Sequence, residues 1–237
     1  MKPNQVLRFG GKCAIIAGVF NLLASLAYLL LPAAQKLGSR GADLLPSVAQ
    51  NSMMLILLHL CFTGIGLFGI GLVPALTAVV RTPTNEGWLG WAANLAVVGY
   101  AVFAVAGLLT IDHVPRVAQA YVAGDAATKA ALLAVWRGSI DPFAFWSYGM
   151  VGLWICMASS ASFGTPQLRM SPALVLLGIF VGVLHMLIPL GFVLKLPLVF
   201  TIINIVGTIV ATVWYVWAGV ALRTAAKRGL VPAGHSA

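Results

Sequence analysis

Residues 51–80 read NSMMLILLHLCFTGIGLFGIGLVPALTAVV, thirty positions without a lysine, arginine, aspartate or glutamate. As an α-helix rising 1.5 Å per residue, the stretch reaches about 45 Å, more than the ~30 Å hydrocarbon core of a bilayer. It must tilt, kink or carry its ends into the headgroup layer. His59, inside it, asks for a polar partner in lipid, and Gly64, Gly66, Gly69 and Gly71 mark where neighbouring helices come close. A span of this kind predicts a bundle assembled around it.

Composition extends that reading to the whole chain. Of 237 residues 61% are hydrophobic and 8% charged, with mean hydropathy +1.00. A water-soluble domain carries about 25% charge, so the solvent here is largely lipid. The net charge of +9 does not point to nucleic acid. The cations sit at the ends of apolar runs, where they set membrane orientation and meet anionic lipid, and not in the clustered stripe a phosphate backbone requires. Cys13, Cys61 and Cys156 are odd in number and all lie in apolar runs, so no disulfide framework is implied.

Taken outward in both directions, the chain predicts an all-α, polytopic transmembrane bundle of six spans, at about 13–31, 53–80, 88–111, 143–163, 172–190 and 197–222, forming one domain over 1–229 with a tail at 230–237. The first run, longer than a signal peptide's apolar region, reads as a retained helix, although Pro32-Ala33-Ala34 would suit cleavage. A polar loop with Lys36, Arg40 and Asp43 leads to the second span, and Thr84, Asn85 or Glu86 is placed to cap the third. Residues 115–142 are too polar to cross a bilayer. Within them Gly124-Asp125 followed by 126–136 predicts a short amphipathic helix on the surface between spans 3 and 4, with an irregular connection as the alternative. Six spans put both ends on one side. Eight Lys and Arg fall on that side against six on the other, which favours N-in and C-in, and Trp88, Trp91, Trp214 and Trp217 would then belt the inner interface.

Gly64 to Gly69 also spells G-x-G-x-x-G. A dinucleotide site needs a strand before that motif and a helix beginning at it, whereas here it lies inside one continuous span, so close helix packing is the better account. His59, His185 and Asn204 fall at similar depth in the outer half, with Asp112, His113 and Asp141 at the outer boundary. Their shared level permits a polar pocket in the outer half. In the structural reading the histidines bond Asn204, Thr63 or backbone carbonyls and hold the bundle in register. In the functional one they line a ligand pocket or proton path, or His59 and His185 are the axial ligands of a haem b. Asp112-His113 invites a general-base reading, but neighbours on a helix point about 100° apart. No Ser-His-Asp set, paired glutamates or H-E-x-x-H spacing is present, so no catalytic residue is assigned and no metal is implied.

The basic N-terminus, Ala120-Tyr121-Val122-Ala123-Gly124-Asp125 in the outer segment, the Phe143-rich fourth run, the Pro166 turn and the closing Trp214-Tyr215-Val216-Trp217-Ala218-Gly219 with its basic stop resemble a bacterial six-helix membrane family catalogued only as a domain of unknown function. The resemblance implies a multi-pass protein of the bacterial inner membrane and carries no activity or site residues. The function expected is therefore non-enzymatic binding of a small apolar or amphiphilic ligand, or of a partner membrane subunit or second copy, through the outer-half pocket. The alternatives are a haem-b electron-transfer subunit using His59 and His185, and a small proton-coupled transporter with His185 and Asn204 on its path.

Overall fold

The computed structural model describes residues 3–36, 39–136, 140–163, 170–194 and 197–228, with residues 3 and 197–205 described in backbone only. The Gly164–Arg169 turn, Lys195, the side chain of Asn204 and the 230–237 tail lie outside the described residues. The regular elements among the described residues are all helical: α1 (Pro3–Leu30), α2 (Gly41–Gln50), α3 (Met53–Val80), α4 (Glu86–Ala123), α5 (Ala126–Val135), α6 (Val151–Ser162), α7 (Pro172–Val193) and α8 (Pro197–Lys227). A 3-10 turn at Ala33–Gln35 precedes α2, and a π-helical turn at Phe145–Met150 runs into α6. Among them α1, α3, α4, α7 and the Val206–Lys227 part of α8 are long and apolar enough to cross a bilayer.

Several boundaries differ from those expected: α1 begins at Pro3, before the apolar run at 13, and α8 runs past 222 to Lys227. The third apolar run does not stop at Ile111. α4 continues through Pro115 to Ala123 because Val114 and Ala118 are buried and this stretch packs on α2, and that packing outweighs the one backbone hydrogen bond a proline removes. The polar loop after α1 holds a helix of its own, α2, whose Leu45 and Val48 are buried. Beyond Gly124, α5 is capped by Asp125, which accepts from the Thr128 N–H at 2.8 Å. Hydrogen bonds from Thr128 hold the Asp125 carboxyl below its ordinary value. No residue of α5 is buried.

α1, α3, α4, α6, α7 and α8 pack each on the next in chain order, and α8 returns to α1 to close a ring. Much of α1 places small side chains inward and large apolar ones outward. On α1, Ala14, Ala17, Ala24 and Ala27 are buried while Leu22, Leu26, Leu29 and Leu30 are exposed. A protein in water would not leave such a contiguous apolar surface bare, and in lipid small residues are the ones that let backbones approach. The glycines of α3 show that approach on two sides. A Cβ at Gly64 or Gly71 would meet Phe20 or Cys13 of α1 at 2.6 Å, whereas one at Gly66 would meet the Tyr100 carbonyl of α4 at 2.5 Å. The G-x-G-x-x-G run thus wedges α3 between α1 and α4.

The centre of the ring is aromatic. Tyr100 and Tyr215 share a hydrogen bond between their hydroxyls at 2.6 Å, and the Trp154 indole N–H donates to Thr77 Oγ1 at 3.2 Å. Trp154 stands edge-on to both Tyr100 and Trp214. Trp214 is fully buried in this knot and so is not part of an interfacial belt. Trp88, Trp91 and Trp217 remain exposed. Asn21 joins α1 to α8 by donating to the Thr208 carbonyl at 2.7 Å and to Thr212 Oγ1 at 3.0 Å.

Candidate functional site

At the end of the bundle where α1 and α7 finish and α3 and α6 begin lies a cavity of about 390 Å³. Its longest wall is one face of α4. Phe103, Ala106, Gly107, Thr110 and Val114 line it, spaced as one helical face and covering roughly 16 Å of the helix at 1.5 Å per residue. α3 supplies Leu55, Leu58, His59 and Phe62 at the matching 3-1-3 spacing. The ends of α1 and α7 add Tyr28, Leu31 and Phe192, and Trp136 follows α5 onto the wall. Most of this surface is apolar or aromatic, with Gln35, Lys36, Ser39, His59, Thr110, Asp141 and Ser147 as its polar side chains.

Its polar groups are few and individually placed. Gln35 is buried, and its Nε2 donates to Ser47 Oγ at 3.1 Å and to the Asn51 carbonyl at 2.8 Å. That pair of bonds pins the 3-10 turn to α2 and to the entry of α3, and it sets the neighbouring Lys36 on the wall. Lys36 is half-buried. Across the cavity Asp141 is buried and accepts from the Phe145 N–H at 3.0 Å, the Ser147 N–H at 2.8 Å and the Ser147 hydroxyl at 2.8 Å. It satisfies the open N–H groups at the start of the π-turn, where a carboxylate meets the positive end of the helix. Ala144, between them, stands in the left-handed region at φ 54°, a conformation costing an L-residue about 1–2 kcal/mol.

The six residues singled out from sequence are not gathered at one place. His59 and Asp141 line the cavity. His185 does not; it sits behind the wall, buried, with its ring 5.4 Å from that of Tyr148. Asp112 and His113 are exposed, and Asp112 pairs with Arg116 one turn on. They fail as mouth residues because α4 runs on past them and turns Val114 and Gly107 inward instead. The Asn204 side chain lies outside the described residues.

Between the two imidazoles the rings of Phe62, Phe103 and Tyr148 follow one another, with centroid separations of 5.5, 5.3, 4.9 and 5.4 Å from His59 to His185. To serve as paired axial ligands, each about 2 Å from one iron, the imidazoles would have to leave these rings. Each instead uses Nδ1 within its own helix, His59 to the Leu55 carbonyl at 2.8 Å and His185 to the Val181 carbonyl at 2.9 Å. A carbonyl only accepts, so Nδ1 carries the proton in both, and Nε2 of His59 is the nitrogen left for a further partner on the cavity wall. Among the described residues no three His, Cys, Asp or Glu side chains converge in the manner a metal ion needs.

Sequence reasoning missed Lys36, Gln35, Phe103 and Tyr148. The helical spacing of Phe103, Gly107, Thr110 and Val114 was the one available signal, and it is shared with ordinary packing faces. No model of a known protein family, no curated protein and no solved structure matches this chain.

Proposed function

We propose that the chain is a six-span, multi-pass protein of a bacterial cytoplasmic membrane that holds a small amphiphile in an outer-half cavity, as a binding site and not a catalytic one. Phe145–Ser162 supplies the sixth span: the π-turn and α6 are continuous helix, eighteen residues long. The uneven distribution of Lys and Arg supports both ends inside, which puts α2, α5 and the cavity on the outer side.

The observation that carries the binding reading is the cavity. At about 390 Å³ it falls in the range of small-molecule sites, which are concave, mostly apolar and oriented by a few polar groups. Its apolar body ends at the polar Gln35 and Lys36 turn, which suits a molecule with one greasy and one wet end. This is preferred to haem ligation on the ground that three aromatic rings lie between His59 and His185. The test is native mass spectrometry of protein extracted directly from membranes into polymer-bounded lipid particles. Wild type should retain an added small mass, and Ala106→Trp, which fills the cavity from the α4 wall, should lose it. Bare protein in both preparations would refute the reading.

A further inference from the structure

We infer that the molecule taken by this cavity is a single-chain amphiphile with an anionic head, its headgroup on Lys36 and its chain laid along the α4 wall; the inference rests on the binding reading above. Charge decides the head. Lys36 is the one lysine or arginine on the wall among the described residues, and it forms no ion pair with any of them. The one carboxylate on the wall is already committed, since Asp141 accepts the Phe145 and Ser147 N–H groups and the Ser147 hydroxyl. A cationic head would find no spare carboxylate, whereas an anionic one would find an ammonium at the membrane–water boundary, where Lys side chains keep their heads wet.

Shape decides the chain. The wall from Phe103 to Val114 runs roughly 16 Å along a single helix face; α3 closes against it at Gly107, where a Cβ would meet Thr63 Oγ1 at 2.5 Å, and the rings of Phe62, Phe103 and Tyr148 pack together at its inner end. About 390 Å³ spread over that length suits one extended acyl chain and not the paired chains of a bilayer lipid. The Lys36 turn stands at the opposite, shallow end, tied there by Gln35 to α2 and α3.

The experiment uses the full chain in nanodiscs of zwitterionic lipid. A diazirine-bearing dodecanoate is cross-linked to it and its attachment sites are mapped by mass spectrometry. Unlabelled dodecanoate, dodecanol and dodecylammonium then compete, sharing one chain and differing only in the head. Labelling is expected on α3 and α4 wall residues, with dodecanoate competing at about tenfold lower concentration than dodecanol, equivalent to 1.4 kcal/mol, and dodecylammonium weakest. Lys36→Gln should abolish that order and Lys36→Arg should keep it. Equal competition by all three heads in wild type, with labelling still lost in Ala106→Trp, would overturn the anionic head and leave the cavity reading standing. Labelling confined to lipid-facing residues and unchanged by Ala106→Trp would sink both.

Discussion

Replacing Gly66 with alanine tests whether α3 and α4 are held by backbone contact. A Cβ at that position would lie 2.5 Å from the Tyr100 carbonyl oxygen and 2.6 Å from the Ala104 nitrogen, both backbone atoms that no rotamer change can move. Ordinary contact begins near 3.4 Å, so the two helices must separate by about 0.9 Å (3.4 − 2.5) where they now touch. Overpacking of this kind costs about 1–3 kcal/mol. Removing a mid-helix glycine returns about 0.5–1 kcal/mol, which leaves a net loss of up to about 2.5 kcal/mol, centred near 1 kcal/mol. Gly87, on the same helix pair but with nothing within 4 Å of its Cβ position, is the control: Gly87→Ala should match or slightly exceed wild type. The assay is equilibrium unfolding in mixed micelles followed by near-ultraviolet circular dichroism, which reads the buried Tyr100–Trp154 cluster. Gly66→Ala as stable as Gly87→Ala would refute close helix packing as the role of the G-x-G-x-x-G run.

The same measurement checks substitutions at five further positions. Gly182→Ala should destabilise by about 1–2 kcal/mol, because its Cβ would meet the Gly152 carbonyl at 2.6 Å across the α6–α7 contact; wild-type stability would mean that contact is looser than described. Tyr100→Phe and Tyr215→Phe should each cost about 1–3 kcal/mol by stranding the partner hydroxyl, and the double variant less than their sum, since it leaves no orphan; simple additivity would show that the two hydroxyls do not depend on one another. Asp141→Asn should lose about 1–3 kcal/mol by turning an acceptor of the Ser147 N–H and hydroxyl into a donor or leaving one unmet, and an unchanged transition would remove the cap. Ala144→Val should lose at least about 1–2 kcal/mol, a β-branched residue at φ 54° being worse placed than alanine, while Ala144→Gly should not. Protease added to sealed right-side-out vesicles should cut within 124–136, and cutting only in inverted vesicles would reverse the proposed orientation.

Much of the architecture was legible because lipid imposes length. α3 begins and ends within a residue or two of where an uncharged run meets Ser52 and Arg81, and the Pro172 and Pro197 starts of α7 and α8 follow from proline's fitness for a first turn. The outer segment was harder. Pro115 reads as a stop, and only the helical spacing of Val114, Ala118 and Tyr121 hints at a face that packs on α2 and carries α4 past it. α2 hid for a related reason: Pro46 and three charged neighbours suggest a loop, while Leu44, Leu45 and Val48 make the amphipathic pattern that wins. Depth could be counted along each helix, and so the levels of His59 and His185 were available from residue number. Rotation could not. Which face of α7 turns inward depends on Gly182 meeting Gly152, a contact between segments thirty residues apart, and that contact is what puts His185 behind Tyr148. Trp214 shows the same gap, its burial set by Trp154 on another helix.

The cavity has a structural cause in unequal helix lengths. α4 is 38 residues long, whereas the π-turn and α6 that run beside it total eighteen. At 1.5 Å per residue that is about 57 Å against 27 Å, so the C-terminal part of α4 outlasts its neighbour. A bundle of matched helices would fill the space with interdigitated side chains; here it is roofed instead by α2, by the 3-10 turn and by Trp136 after α5. The rest of the bundle, away from the cavity, holds the Tyr100–Tyr215–Trp154–Trp214 knot and the closest glycine contacts. Stability and binding capacity are therefore drawn from opposite ends of the same helices. Asp141 stands at their junction: by capping the π-turn it fixes where the shorter helix begins, and so how much of α4 is left uncovered. A change that let the π-turn extend toward Asp141 would shorten the slot without touching any residue on the α4 wall.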